Sequence, residues 1–188
     1  MDALLRWIVE TSVLALGTVF VICLAGAILF AWRRRRSAWR EALSRTGSET
    51  LLVVAMALIV IATLLTPQLA GAGERTILLE PFWDLREALA GRQVLGRAIA
   101  EMVGNVLLFI PLGLAIALRW PTLSLIATIG AAVATSLVVE VGQALLAGGR
   151  MTDVTDVLMN GIGALIGALF IRGATSPQEP LTPDTMRR

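Results

Sequence analysis

Five stretches of the chain are almost wholly apolar, at 8–31, 51–70, 102–118, 122–147 and 157–171, and shorter polar connections separate them. A helix that crosses a hydrocarbon core needs about 20 mainly apolar residues, with a usable range of roughly 17–25. The last stretch is the shortest and is expected to lean on its neighbours. Soluble-core helices of this length and apolarity fit poorly. The pattern predicts an all-α fold, a polytopic transmembrane helical bundle of about five spans.

The polar positions inside these spans are few and ordered. At about 100° of rotation per residue, Ser136, Glu140 and Gln143 share an arc of roughly 60° on the fourth span. Asp153, Asp156, Asn160, Gly163 and Gly167 fall within about 80° on the fifth. Thr152 is the expected N-cap of that helix, and carboxylates in its first turn suit the helix dipole. The tight Gly148-Gly149-Arg150 connection makes the two helices antiparallel neighbours. Glu140 then lies about 10 Å below the membrane surface at 1.5 Å per residue. Asn160 reaches a similar depth from the same surface on the returning helix, and Asn105 enters from that end on the third span. Pro111 frees a backbone carbonyl there and is expected to kink the helix. An ionisable group at membrane depth costs roughly 2.5–3.5 kcal/mol, so it normally faces inward. These residues predict one outward-opening polar pocket.

Each position also has a plainer reading. Asp153 and Asp156 would be helix-start carboxylates, Asn105 and Asn160 interhelical hydrogen bonds, and Gly163 and Gly167 packing contacts. Ser136 would return its hydroxyl to a backbone carbonyl. For Glu140 the plain alternative is a structural pair with Arg150.

Composition narrows the chemistry. The 188 residues are 56% hydrophobic, with a mean hydropathy of +0.79. Lys and His are missing, so all 16 basic residues are Arg and no imidazole is present as base, shuttle or metal ligand. Cys23 stands alone inside the first span, which excludes an intrachain disulfide and a cysteine zinc site. No metal site, no cofactor and no nucleic-acid partner is expected; membrane lipids are. The oligomeric state stays open.

Charge distribution sets an expected topology. Arg33 to Arg36, Arg40 and Arg45 crowd the first connection. Positive residues in short loops stay cytoplasmic, so the N-terminus is expected outside and the C-terminus inside. The first span is too long for a removable signal and carries its charge on the wrong flank, so it reads as an anchor. Residues 1–49 are expected to form that anchor and a basic cytoplasmic linker, with Trp32 and Trp39 suited to anionic headgroups. Residues 50–172 form a four-helix transmembrane domain. The Pro-rich tail at 173–188 is expected to be disordered. Within the outer connection at 71–101, residues from Trp83 to Ala90 suit a short interfacial helix.

The polar residues also spell a family pattern. Asn105-Val-Leu-Leu-Phe109-Ile-Pro111-Leu-Gly113 resembles the N-x-L-x-F-x-P-L-G signature of VanZ-like membrane proteins. Ser136-Leu-Val-Val-Glu140-Val-Gly-Gln143 is similar to their S-x-x-x-E-x-x-Q helix. Gly149-Arg150, Asp153, Asp156, Asn160, Gly163 and Gly167 match the ending. The resemblance covers roughly residues 50–172. One position departs: Leu78 stands where the family usually has Asn, with Glu80 just before Pro81, which shifts that loop's role onto Glu80 or removes it.

The resemblance implies a bacterial inner-membrane protein of the cell envelope, since the founding member confers low-level resistance to teicoplanin, a glycopeptide antibiotic. It supplies no reaction. On the residues, the leading expectation is a protein that binds or modifies an envelope lipid or lipid-linked glycan precursor. Arg150, with Arg97 as a second candidate, would hold a phosphate or carboxylate. Asn105, Ser136, Gln143 and Asn160 would position polar atoms of the ligand. If the site is catalytic, Glu140 is the acid or base and Asp153 or Asp156 the second carboxylate. The alternatives are a small transporter or flippase subunit and a non-catalytic membrane assembly partner.

Overall fold

The computed structural model describes the backbone of residues 2–64, 77–78, 80–146 and 152–175, and side chains within 9–63, 80–142 and 153–174. Six helices follow one another among these residues: α1 (Asp2–Arg33), α2 (Trp39–Leu64), α3 (Trp83–Leu89), α4 (Leu95–Arg119), α5 (Leu125–Leu146) and α6 (Val154–Thr175). All but α3 are long and apolar enough to cross a membrane. Of the tail expected to be disordered at 173–188, residues 173–175 are helical and end α6, which continues the hydrogen-bonded turns past the apolar run. Residues 176–188 and the Gly148-Gly149-Arg150 connection lie outside the described residues.

Local chemistry explains where helices begin and end. Ser124 caps α5, its Oγ accepting from the Ala127 N–H at 3.1 Å. After α3, Gly91 takes φ 74. Its N–H reaches the Ala88 carbonyl and the Arg92 N–H the Glu87 carbonyl, a Schellman ending that needs the left-handed conformation glycine adopts freely. Helix α4 runs through Pro111 as one element.

Two boundaries differ from the hydropathy reading. Helix α2 begins at Trp39, so 39–49, expected as linker, forms its first three turns and the boundary at 49/50 falls inside a helix. Hydropathy misses these turns because Arg40, Glu41, Arg45 and Glu49 dilute them, yet Ala42, Thr46 and Ser48 are buried. Helix α4 begins at Leu95, seven residues before the apolar run, with Arg97 and Glu101 paired on its exposed side at 2.8 Å.

Contacts give the helix directions. Asn105 meets Asp156, and backbone at Val106 and Ile110 meets Gly163 and Gly167, so α4 and α6 run parallel. Ser136 meets Asn160 while Val133 lies by Gly161, as expected for an antiparallel α5 and α6. Arg33 and Arg119 both reach Glu49, at 2.7 and 3.9 Å, which sets α2 against α1 and α4. A core of Ala55, Ile59, Phe109, Leu112, Ile116, Ala132 and Ala164 joins α2, α4, α5 and α6. A Cβ on Gly163 would strike the Val106 carbonyl oxygen, and one on Gly167 that of Ile110. Small residues thus let α4 and α6 approach backbone to backbone.

The two ends of the bundle differ. One collects Arg33 to Arg36, Arg40, Arg45, Arg119 and Arg172, and Arg172 donates to the Leu123 carbonyl. At the other, the connection between α2 and α4 returns to the start of α6. There β1 (Ile77–Leu78) pairs in parallel with β2 (Thr152–Asp153), Ile77 against Thr152 and Leu78 against Asp153.

Candidate functional site

The site is built on the parallel pair α4 and α6, with α5 across them. From α4, Asn105 donates through Nδ2 to Asp156 Oδ1 at 2.5 Å. From α6, Asn160 donates through Nδ2 to Ser136 Oγ on α5 at 2.8 Å. Ser136 and Asn160 are both buried. Helical spacing then carries the geometry one turn further. Glu140 lies four residues beyond Ser136 on α5, and Asp156 four residues before Asn160 on the antiparallel α6. One turn is about 5.4 Å on each helix, so the two carboxyl-bearing residues come level with each other. Glu140 is 7% exposed and is not without a partner of its own.

Asn160 is not fully satisfied. Its Oδ1 is buried and accepts no hydrogen bond in the structure. A buried polar atom left so costs about 1–3 kcal/mol, and such atoms are rare enough in folded proteins to require an explanation. The orphaned acceptor sits beside Ser136 and one turn from Asp156, within the polar cluster rather than apart from it.

Asp153 has a more local task. Its Oδ1 accepts from the Thr155 N–H at 2.7 Å, so Asp153, and not Thr152, is the N-cap of α6. Sequence reasoning put the cap one residue early because Thr and Asp are both good caps and only the backbone settles which one precedes the first turn. Thr155 was missed altogether. It is buried, and its Oγ1 accepts from the Phe82 N–H at 2.8 Å. Phe82 holds φ 60, a left-handed conformation costing a bulky residue about 1–2 kcal/mol. That bond and the β1–β2 pairing fasten the connection onto the N-terminus of α6.

Other candidates are placed elsewhere. Glu80 is exposed and pairs with Arg86 at 3.1 Å, so it does not join the cluster. Arg97 is exposed and paired with Glu101. Gly163 and Gly167 are packing positions against α4. Gln143 falls within α5, but its side chain and the whole of Arg150 lie outside the described residues. Among the described residues no three metal-ligating side chains gather to hold an ion. At the end of α3, the hydrogen bond from Arg92 holds the exposed Glu87 carboxyl below its usual range.

Two cavities of the bundle do not include the cluster. One, of about 460 Å³, lies between α1, α2 and α4 and is lined by Thr11, Ser12, Leu58, Gly104, Leu107 and Pro111. The other, of about 440 Å³, lies between α1 and α2 towards the arginine-rich end. The outward-opening pocket expected from the sequence is, among the described side chains, a set of interhelical hydrogen bonds with one unused acceptor.

A family model described as VanZ/LLP1 matches residues 18–175, beginning inside α1 rather than at the start of the four-helix segment. No match was found among curated proteins or among solved structures.

Proposed function

The chain belongs to the VanZ/LLP1 family, and from that premise we propose that this multi-pass membrane protein binds the polar headgroup of an envelope lipid or lipid-linked glycan at the α6 N-terminal end of its bundle. One observation carries the reading: a buried Asn160 oxygen that accepts no hydrogen bond, on the face where helical spacing brings Glu140 level with Asp156. Polar groups are expensive to hold at this depth. A charged side chain at membrane depth costs roughly 2.5–3.5 kcal/mol. Interhelical hydrogen bonds in membranes contribute about 0.6 kcal/mol on average, with a maximum near 1.7. A hydrophobic residue would serve packing better, so carboxyl groups kept here beside an unused Asn160 acceptor support a headgroup ligand.

In this reading Asn160 Oδ1 accepts from a ligand hydroxyl or amine, and Glu140 binds or exchanges a proton with the same headgroup. Asn105 orients Asp156, Ser136 orients Asn160, and Asp153 fixes the helix start. Arg150, in the connection next to that start, supplies the paired donors a phosphate or carboxylate takes. The arginine-rich end faces the cytoplasm by the positive-inside rule, which puts the polar cluster on the extracytoplasmic side of a bacterial inner membrane.

Native mass spectrometry with lipidomics on the purified protein tests the reading. Wild type is expected to retain a specific envelope lipid, with Arg150→Ala losing it. Glu140→Gln is expected to keep its fold while binding at least tenfold less, or to accumulate an unmodified lipid if the site performs chemistry. Identical bulk lipids on all three folded proteins would refute a headgroup site here.

A further inference from the structure

At the opposite end of the molecule, four arginines stand where two helices part. Arg34, Arg35, Arg36 and Arg40 are all exposed. Among the described residues Arg34, Arg35 and Arg40 have no carboxylate partner, while Arg36 lies over the Trp32 ring at 4.6 Å. Their neighbours differ: Arg33 is held by Glu49, and Arg45 by Glu41 at 3.1 Å. An exposed, uncompensated cation cluster beside apolar spans repels itself unless an anion covers it.

Directly below it, toward the membrane centre, lies the 440 Å³ groove. Cys23, Ala27 and Phe30 form its wall on α1, and Leu43, Gly47 and Val54 its wall on α2. Each wall follows helical spacing, and each continues upward into the arginines. The Arg34 N–H bonds to the Phe30 carbonyl at 2.8 Å, so Arg34 stands one turn above Phe30. Arg40 stands three residues before Leu43 in α2, on the same face. Gly47 holds the groove open, since a Cβ there would meet nothing within 4 Å. Gly26 has the opposite function, its Cα face closed against Thr50.

We propose that the α1–α2 groove binds one anionic phospholipid of the leaflet on the arginine side, an acyl chain lying between Phe30, Leu43 and Gly47 and the phosphate held by Arg34 and Arg40. Charge complementarity selects the occupant. A neutral lipid or an apolar peptide would fill the groove but leave the arginines uncovered. Arginine heads also suit a phosphate, which accepts paired N–H donors in a plane. This site is separate from the polar cluster, which lies at the other end of the bundle.

Titrating the full-length protein in detergent with phosphatidylglycerol and phosphatidylcholine of identical chains, read by native mass spectrometry, tests the proposal. Wild type is expected to retain one phosphatidylglycerol at least tenfold more tightly than phosphatidylcholine. Gly47→Leu, at a position with room for its Cβ, extends a side chain into the groove and is expected to weaken that binding at least tenfold, with helicity by circular dichroism unchanged. The exposed pair Arg34→Gln and Arg40→Gln, which disturbs no packing, is expected to weaken it roughly 30-fold, about fivefold per arginine. That pair decides the matter alone if Gly47→Leu does not fold. Glu140→Gln is expected to leave phosphatidylglycerol binding unchanged. Equal retention of both lipids by wild type would overturn the proposal. So would several weakly held anionic lipids insensitive to Gly47→Leu, which would reduce the arginines to a diffuse surface charge.

Discussion

Asp153 and Glu140 are both acidic residues at the same end of the molecule, and their surroundings give them different work. Asp153 spends one carboxylate oxygen on the N–H of Thr155, a bond that any helix start requires. Glu140 lies within α5 and is buried between spans. The two should therefore separate by mutation. Asp153→Ala is expected to lower stability by about 1 kcal/mol, the usual cost of a lost N-cap, and Asp153→Asn to restore most of it. Thermal unfolding in detergent, run beside lipid retention, makes the comparison. A stability loss in Asp153→Ala with normal lipid retention fits the assignment; lipid loss in Asp153→Asn without a stability change would move Asp153 into the ligand site.

The α4–α6 pair is the element on which the cluster depends. Asn105 reaches Asp156 because Gly163 and Gly167 let α6 settle onto the carbonyls of Val106 and Ile110. Adding a methyl group at Gly163 forces backbone apart rather than a flexible side chain. Gly163→Ala is expected to destabilise the protein by more than 1 kcal/mol and to weaken the Asn105–Asp156 hydrogen bond. Gly47→Ala, in an open position on α2, is expected to stabilise it by roughly 0.5–1 kcal/mol through helix propensity alone. Denaturation midpoints of the two variants in the same detergent check the contrast; equal shifts in one direction would mean that the close approach is not what fixes the pair.

At the scale of the whole molecule, five apolar helices of alternating direction leave a basic end and an acidic, hydrogen-bonded end. The proposed orientation predicts that a fluorescent protein fused after Arg188 folds and glows in the bacterial cytoplasm. Alkaline phosphatase at the same position is expected to be inactive. The reverse result would turn the bundle over and put the Glu140 cluster on the cytoplasmic side. Either way β1 and α3 are fastened to the start of α6 by the β1–β2 pairing and the Phe82–Thr155 bond, so a ligand of the proposed site would enter past them or between helices from the lipid.

Hydropathy and spacing alone determined the all-α bundle, its five spans, the short helix after Phe82 and the inward grouping of Asn105, Ser136, Asp156 and Asn160, because burial in lipid leaves few other arrangements for apolar runs and for the polar residues within them. The VanZ-like pattern was legible in the same residues. What the sequence left open was decided by tertiary contacts. Charged turns at the start of α2 became helix because Ala42, Thr46 and Ser48 found neighbours to pack against. Asp153 displaced Thr152 as the cap because the backbone places the first helical turn at Val154. Thr155 gained its partner only when the connection between α2 and α4 folded back onto α6, and Glu80 there pairs with Arg86. Spacing along one helix says which residues share a face; which face meets another helix, and which polar atom is left without a partner, depends on contacts between residues far apart in the chain.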